Sequence, residues 1–168
     1  LHYLCFCDIT FTLGFSYSTL KTKGGGDIME TSFYIIKPHG LMFRDKIRAM
    51  IEAGGLIITE SKRLVLPDWA LKIIYSDLPE KYRDAVFQSY KGAFVEVGLV
   101  IGEDAIDKLL RIAGTELDPV DCAHGTIRST FGGREPFIID GVRCYANIIH
   151  RSRNKMEAEK DIEIFHAL

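Results

Sequence analysis

Apolar and polar positions alternate along the chain in stretches that can be read one element at a time. Residues 31–37 (TSFYIIK) are a β-branched and aromatic run stopped by Pro38 and Gly40, which predicts a strand ending in a turn. Over 44–53, Ile47, Met50 and Ile51 recur at i, i+3 and i+4, a helix closed by Gly54-Gly55. A second strand over 56–66, a short helix from Pro67-Asp68 through Tyr75, a helix after Pro79 to about Tyr90 and a third strand over 94–101 follow. Residues 103–113 set Ile106, Leu109, Leu110 and Ala113 on one stripe, the mark of an amphipathic helix. The stretch 114–133 holds Pro119 and several glycines and has no period; loops of that length inside a compact domain are usually functional or disordered. Phe137-Ile138-Ile139 and Val142 flank Asp140-Gly141, a two-residue hairpin signal. A last strand over 145–149 and a last helix over 155–166 complete the chain.

This order of elements predicts an α+β fold, a ferredoxin-like βαββαβ antiparallel sheet with helices on its face, together with a long loop and a hairpin. Residues 29–168 read as one domain, which suits a chain of 168 residues with 47% hydrophobic and 26% charged content. Residues 1–28 differ from the rest and are set off by Gly24-Gly25-Gly26 before Met29. They read as an N-terminal extension outside the core, either upstream sequence or an added strand over 9–13, where β-formers alternate. The uncharged stretch 9–20 falls short of the roughly 20 residues a membrane-spanning helix needs. The four cysteines (Cys5, Cys7, Cys122, Cys144) form no CxxC pair, so neither a zinc site nor a disulfide framework is expected, and a reduced, cytoplasmic protein is. With 21 basic and 23 acidic residues the net charge is −2, and nucleic acid is not an expected partner.

Neither GxxxxGK[ST] nor a GxGxxG after a strand occurs, so a phosphate site here must rely on side-chain cations. Lys37 at the end of the first strand, Arg111 near the end of the amphipathic helix and Arg128 in the long loop are the candidates. His150 follows the run Ala146-Asn147-Ile148-Ile149. In the last helix Ala158, Ile162 and Phe165 define an inward stripe, and Asp161 falls on it. A carboxylate on a buried stripe needs a partner, and His150 is the nearest in sequence. Such a pair would fix the imidazole tautomer and leave the other nitrogen free to attack. Periodicity alone leaves this open against an Asp161 at the stripe's edge that reaches water.

Ile36-Lys37-Pro38-His39-Gly40, Pro119 with Gly125-Thr126-Ile127-Arg128, Asn147-Ile148-Ile149-His150-Arg151-Ser152 and Ala158-Glu159-Lys160-Asp161-Ile162 together resemble the nucleoside diphosphate kinase family, in the right order over nearly all of 30–165. The resemblance implies transfer of the γ-phosphate of a nucleoside triphosphate to a nucleoside diphosphate, by a ping-pong route through a phosphohistidine, with Mg²⁺ and ATP or another triphosphate as donor. It implies His150 as nucleophile, Asp161 as its orienting acid, Ser152 as a nearby hydrogen-bonding group and Tyr75 as support for the histidine and phosphate. Lys37 would contact the transferred phosphate and sugar, Asn147 the sugar, Arg111 and Arg128 the phosphates, Thr115 a phosphate, and Tyr82 the base by stacking. The magnesium would ride mainly on the nucleotide phosphates rather than on protein ligands. A homo-oligomer, hexameric or a tetramer of dimers, comes from the same resemblance, with no membrane partner.

The sequence departs from the family pattern at several places. His39 stands where an aspartate is usual, Asp161 where a glutamate is, Ser129-Thr130 where Gly-Asp is, and Arg153 where an aspartate often lies near the metal. Residues 132–145 are longer than usual and predict an added hairpin beside the site. These departures motivate an alternative, a catalytically weakened nucleotide-binding or regulatory module of the same family. A single-strand-RNA-binding sheet is a third reading, which would need Phe33 and Phe94 exposed on the strands.

Overall fold

The computed structural model describes residues 29–168, so the two readings of 1–28 lie outside the described residues. Its frame is a four-stranded antiparallel sheet in the order β2-β3-β1-β6, the ferredoxin-like arrangement. The strands are β1 (Met29–Ile36), β2 (Ile57–Val65), β3 (Phe94–Glu103) and β6 (Ile149–Arg151). The near-unbroken apolar run of β1 follows from its position: it pairs with β3 along its whole length and with β6 at its end, and both its faces are covered. Phe33 and Ile35 point one way and Tyr34 and Ile36 the other, all fully buried.

Two helices, α1 (Arg44–Ala53) and α4 (Ala105–Ala113), cover the face of Tyr34 and Ile36 with Ile47, Ile51, Leu109 and Ala113. The opposite face, with Phe33, Ile35, Val95 and Val97, is covered by α2 (Asp68–Ile74), α3 (Glu80–Tyr90) and α6 (Lys155–Ala167) through Leu71, Ile74, Tyr90, Ile162 and Phe165. Helices therefore lie on both faces. Phe33 is sealed beneath them and cannot stack a base, which removes the ground for a single-strand-binding sheet; Phe94 alone of that pair is exposed. Gly98 sits opposite Tyr34 in the register, and a Cβ there would lie 2.5 Å from the tyrosine ring. The missing side chain makes room for Tyr34, whose hydroxyl donates to buried Glu96 at 2.8 Å.

The stretch 114–133 is more ordered than its composition predicts. It contains a 3₁₀ turn, Pro119–Asp121, and a short helix α5, Ile127–Phe131. Thr126 starts α5 with a reciprocal cap: its Oγ1 accepts from the Ser129 amide, and Ser129 Oγ accepts from the Thr126 amide at 3.1 Å. The hairpin forms as read, β4 (Phe137–Ile139) and β5 (Val142–Cys144), with Asp140 and Gly141 at φ 47° and 73°, the left-handed pair a two-residue turn demands.

The last strand is displaced from its expected position. Residues 145–148 do not pair, and β6 begins only at Ile149. The cause is Ile148, at φ 63°, where the Ile149 amide donates back to the Asn147 carbonyl at 2.6 Å in a γ-type turn. A β-branched residue in that region is strained by about 1–3 kcal/mol. The strain is held by packing, with Ile148 buried and its carbonyl accepting from the Lys37 amide at 2.8 Å. Among the described residues no helix is long and apolar enough to cross a membrane.

Candidate active site

The kink at Ile148 puts Asn147 and His150 on either side of one tight turn, next to the end of β1. Lys37 follows β1, and its Nζ donates to Asn147 Oδ1 at 2.5 Å. His150 lies in the middle of β6, opposite Ile35 in the register, on the sheet face that α6 covers. Asp161 projects from α6 onto that face and is completely buried, so the water-facing alternative for it is excluded. Nε2 of His150 lies 3.4 Å from Oδ2 of Asp161, and Ser152 Oγ donates to the same oxygen at 2.9 Å. An ionised carboxylate can only accept, so this pairing favours the tautomer with the proton on Nε2, in which Nδ1 keeps its lone pair.

Apolar walls hold the imidazole in place. The Tyr75 ring meets His150 edge-on at 5.4 Å between centroids, and Phe33 does so at 6.2 Å. Burial pushes the His150 pKa below its ordinary value, against the opposing pull of Asp161, so the neutral, nucleophilic form is favoured. The Tyr75 hydroxyl is turned away from the histidine, to the hydroxyl of Tyr90 at 2.7 Å. Tyr75 thus offers His150 its ring and Tyr90 its polar end.

Three cations gather close by with their charges poorly offset. Lys37 is pushed down to about 7, first by burial and then by the neighbouring Arg128 and Arg151. Arg128 is buried; its Nη1 donates to the Glu116 carbonyl at 2.5 Å and its Nη2 to the Ile149 carbonyl at 3.0 Å. Its guanidinium therefore also braces the loop against β6, and its Nε has no partner. Arg111, Thr115 and Tyr82 are not part of this contacting set: all three are exposed, and Thr115 Oγ1 donates to its neighbour Glu116 at 2.9 Å. Arg111 occupies the last turn of α4 and Tyr82 the first turn of α3, whose other end is latched to the hairpin by Gln88 donating to Asp140.

Sequence reasoning missed Arg151 and Glu157, both buried. Arg151 is on the strand face opposite His150, a position strand alternation does foretell. Glu157 lies one turn before Asp161 on the same helix face, so the stripe that located Asp161 could have found it. His150, Glu157 and Asp161 offer ligand atoms within 4.8 Å of one another. Both carboxylates already have donors: Ser152 and His150 hold Asp161, while the Arg153 amide, at 2.6 Å, and the Arg153 guanidinium hold Glu157. Arg153 reaches Asp77 as well, tying the start of α6 to the segment between α2 and α3.

Three cations gathered near a largely enclosed histidine that is paired with a buried carboxylate suit transfer of a phosphoryl group, since they supply charge and position without a glycine cradle. The family model described as nucleoside diphosphate kinase matches residues 30–167. A nucleoside diphosphate kinase from Methanothermobacter thermautotrophicus is 31% identical over 142 residues, 82% of this chain and 87% of that protein. One from Thermobifida fusca is 29% identical over 140 residues, 82% of this chain and 96% of that protein. Among solved structures, a transition-state mimic of the Borrelia burgdorferi nucleoside-diphosphate kinase, with bound vanadate and ADP, superposes with a TM-score of 0.69 at 20% identity, covering 82% of this chain and 86% of that one.

Proposed function

The chain belongs to the nucleoside diphosphate kinase family, and we propose that it moves the γ-phosphate of a nucleoside triphosphate to a nucleoside diphosphate through a phosphate carried on Nδ1 of His150. The observation that carries this reading is the His150–Asp161 pair, fully enclosed on the Asp161 side, beside Lys37 and Arg128. The neutral Nδ1 attacks the γ-phosphorus, and the bond to the bridging oxygen breaks, so the nucleoside diphosphate leaves with the electron pair. A second diphosphate then attacks the phosphohistidine and regenerates the imidazole. Asp161 keeps the Nε2 proton and stabilises the ring as it gains positive charge. Lys37 and Arg128 offset charge on the transferring oxygens, and Arg111 joins them from the rim of α4. Asn147 takes the sugar, Thr115 a phosphate and Tyr82 the base.

The substrate in this reading is the magnesium complex of the nucleotide. Glu157 accepts from Arg153 and Asp161 Oδ2 from Ser152, while Asp161 Oδ1 is buried without a partner; in this reading Mg²⁺ would be held mainly by the nucleotide phosphates. Assembly as a homo-oligomer and a cytoplasmic location belong to the same proposal and rest on the family resemblance.

Incubation with Mg-ATP and GDP tests the reading. GTP should form, with parallel lines in double-reciprocal plots at varied donor and acceptor. Binding of ADP without any GTP would instead identify a nucleotide-holding module. The pH dependence in the same assay is set by two groups. His150 must be neutral, and its pKa is lowered, so the acid limb of kcat/KM falls below its ordinary 6.5. Lys37 must be charged, so kcat/KM declines again as pH rises through about 7. Lys37→Arg, whose charge does not titrate in this range, should remove the upper limb. A wild-type profile flat from pH 7 to about 9 would contradict the role of Lys37.

A further inference from the structure

Two guanidiniums stitch one short piece of backbone to the strand that carries the nucleophile. Arg151 Nη2 donates to the carbonyls of Gly114 and Thr115, at 3.3 Å each, and Arg128 donates to the next carbonyl, Glu116. These three consecutive carbonyls follow the last turn of α4, the turn that holds Arg111. Arg151 is 6% exposed, and its Nε, like that of Arg128, is buried with no partner. Among the described residues no carboxylate comes within ion-pair distance of either guanidinium. Burying two such charges is unfavourable unless an anion offsets them. A neutral amide could have capped the same carbonyls, so hydrogen bonding alone does not account for an arginine here.

We propose that Arg151 is a positioning residue for phosphoryl transfer: it fixes the end of α4 against the His150 strand and supplies a third buried cation behind Lys37 and Arg128, so that the nucleotide's phosphates complete the charge balance. The proposal rests on the phosphotransfer reading above. It assigns Arg151 an effect on the phosphate field as well as on the fold. The negative end of the α4 dipole also favours a cation at this place, but that attraction bears on stability only.

Two substitutions separate charge from hydrogen bonding. Arg151→Lys keeps the charge and loses the planar fork; Arg151→Gln keeps an amide donor for the carbonyls and loses the charge. For each protein the rate of His150 phosphorylation by Mg-ATP in a single turnover, the pH profile of kcat/KM and the melting temperature are measured. Arg151→Gln should phosphorylate roughly tenfold more slowly. Its upper pH limb should move to higher pH, because Lys37 then has one positive neighbour fewer. The other groups facing Lys37, namely Arg128, His39, His150 and Cys144, are unchanged in the variant. Arg151→Lys should keep the limb in place and recover most of the rate. An Arg151→Gln protein with wild-type rate and limb but a lower melting temperature would overturn the proposal. If Arg151→Gln fails to fold, a folded Arg151→Lys protein with a displaced limb and a tenfold loss overturns it, and one that keeps limb and rate supports it. Failure of the phosphotransfer reading itself is distinct, since the wild-type protein would then carry no phosphohistidine at all.

Discussion

His150→Gln is expected to abolish nucleotide exchange, lowering it by roughly 10⁴-fold or more. The route proposed here has one covalent acceptor, and an amide cannot take its place, since its nitrogen lone pair is delocalised and its oxygen is a poor nucleophile. The packing around this position should survive. Glutamine can still donate to Asp161 from the enclosed position that His150 occupies, 11% exposed by its side chain. Nucleotide binding should therefore change far less than turnover. The check is GTP formation from Mg-ATP and GDP beside a direct ADP-binding measurement. Residual exchange above about a hundredth of wild type would mean that phosphate travels by another group.

Asp161→Ala is the second large effect. The substitution leaves the Nε2 proton of His150 and the hydroxyl of Ser152 without their acceptor, in a place water reaches poorly. The ring can then turn or take the other tautomer, and the in-line attack loses its aim. Phosphorylation of His150 should slow by about a hundredfold while the KM for nucleotide moves little. Asp161→Glu should transfer phosphate much better than Asp161→Ala. The carboxylate lies at 3.4 Å from Nε2, a long hydrogen bond, and one more methylene shortens that reach. Asp161 is completely buried, so the added methylene should lower stability by about 1–3 kcal/mol. Equal phosphorylation rates in Asp161→Ala and wild type would remove Asp161 from the mechanism.

What could be read ahead of the structure was what local chemistry decides. Ile47 and Ile51, and the stripe from Ile106 to Ala113, mark their helices because one face of each meets the sheet. Asp140-Gly141 marks the hairpin because only such residues take two left-handed φ values in succession. Helix α5 was legible in principle, but its cap uses Ser129 where the usual signature has glutamate or glutamine, and glycines on both sides read as loop. The start of β6 was not legible: a γ-type turn at a β-branched residue runs against every local preference, and only the surrounding packing holds it.

The candidate site divides along the same line. Lys37, Asn147, His150 and Asp161 lie at turns or on a stripe, and these four come together. Whether Asp161 meets water depended on how α6 docks, which a helical period cannot say. The resemblance gives Arg128 a role at the phosphates; its two backbone acceptors, 12 and 21 residues away in sequence, are tertiary partners that no spacing reveals. Arg111, Thr115 and Tyr82 stay on the exposed rim, where a nucleotide would have to bring them into contact.

The most direct test of this account locates the phosphate on the protein itself. The wild-type protein is incubated with Mg-ATP, freed of nucleotide and examined under denaturing alkaline conditions by phosphorus NMR, which separates the two phosphohistidine isomers. Because Asp161 holds Nε2, a single phosphate should appear on Nδ1 of His150, labile to acid, stable to base and discharged by added GDP with formation of GTP. A phosphate on Nε2, or an acid-stable ester on a hydroxyl, would contradict it.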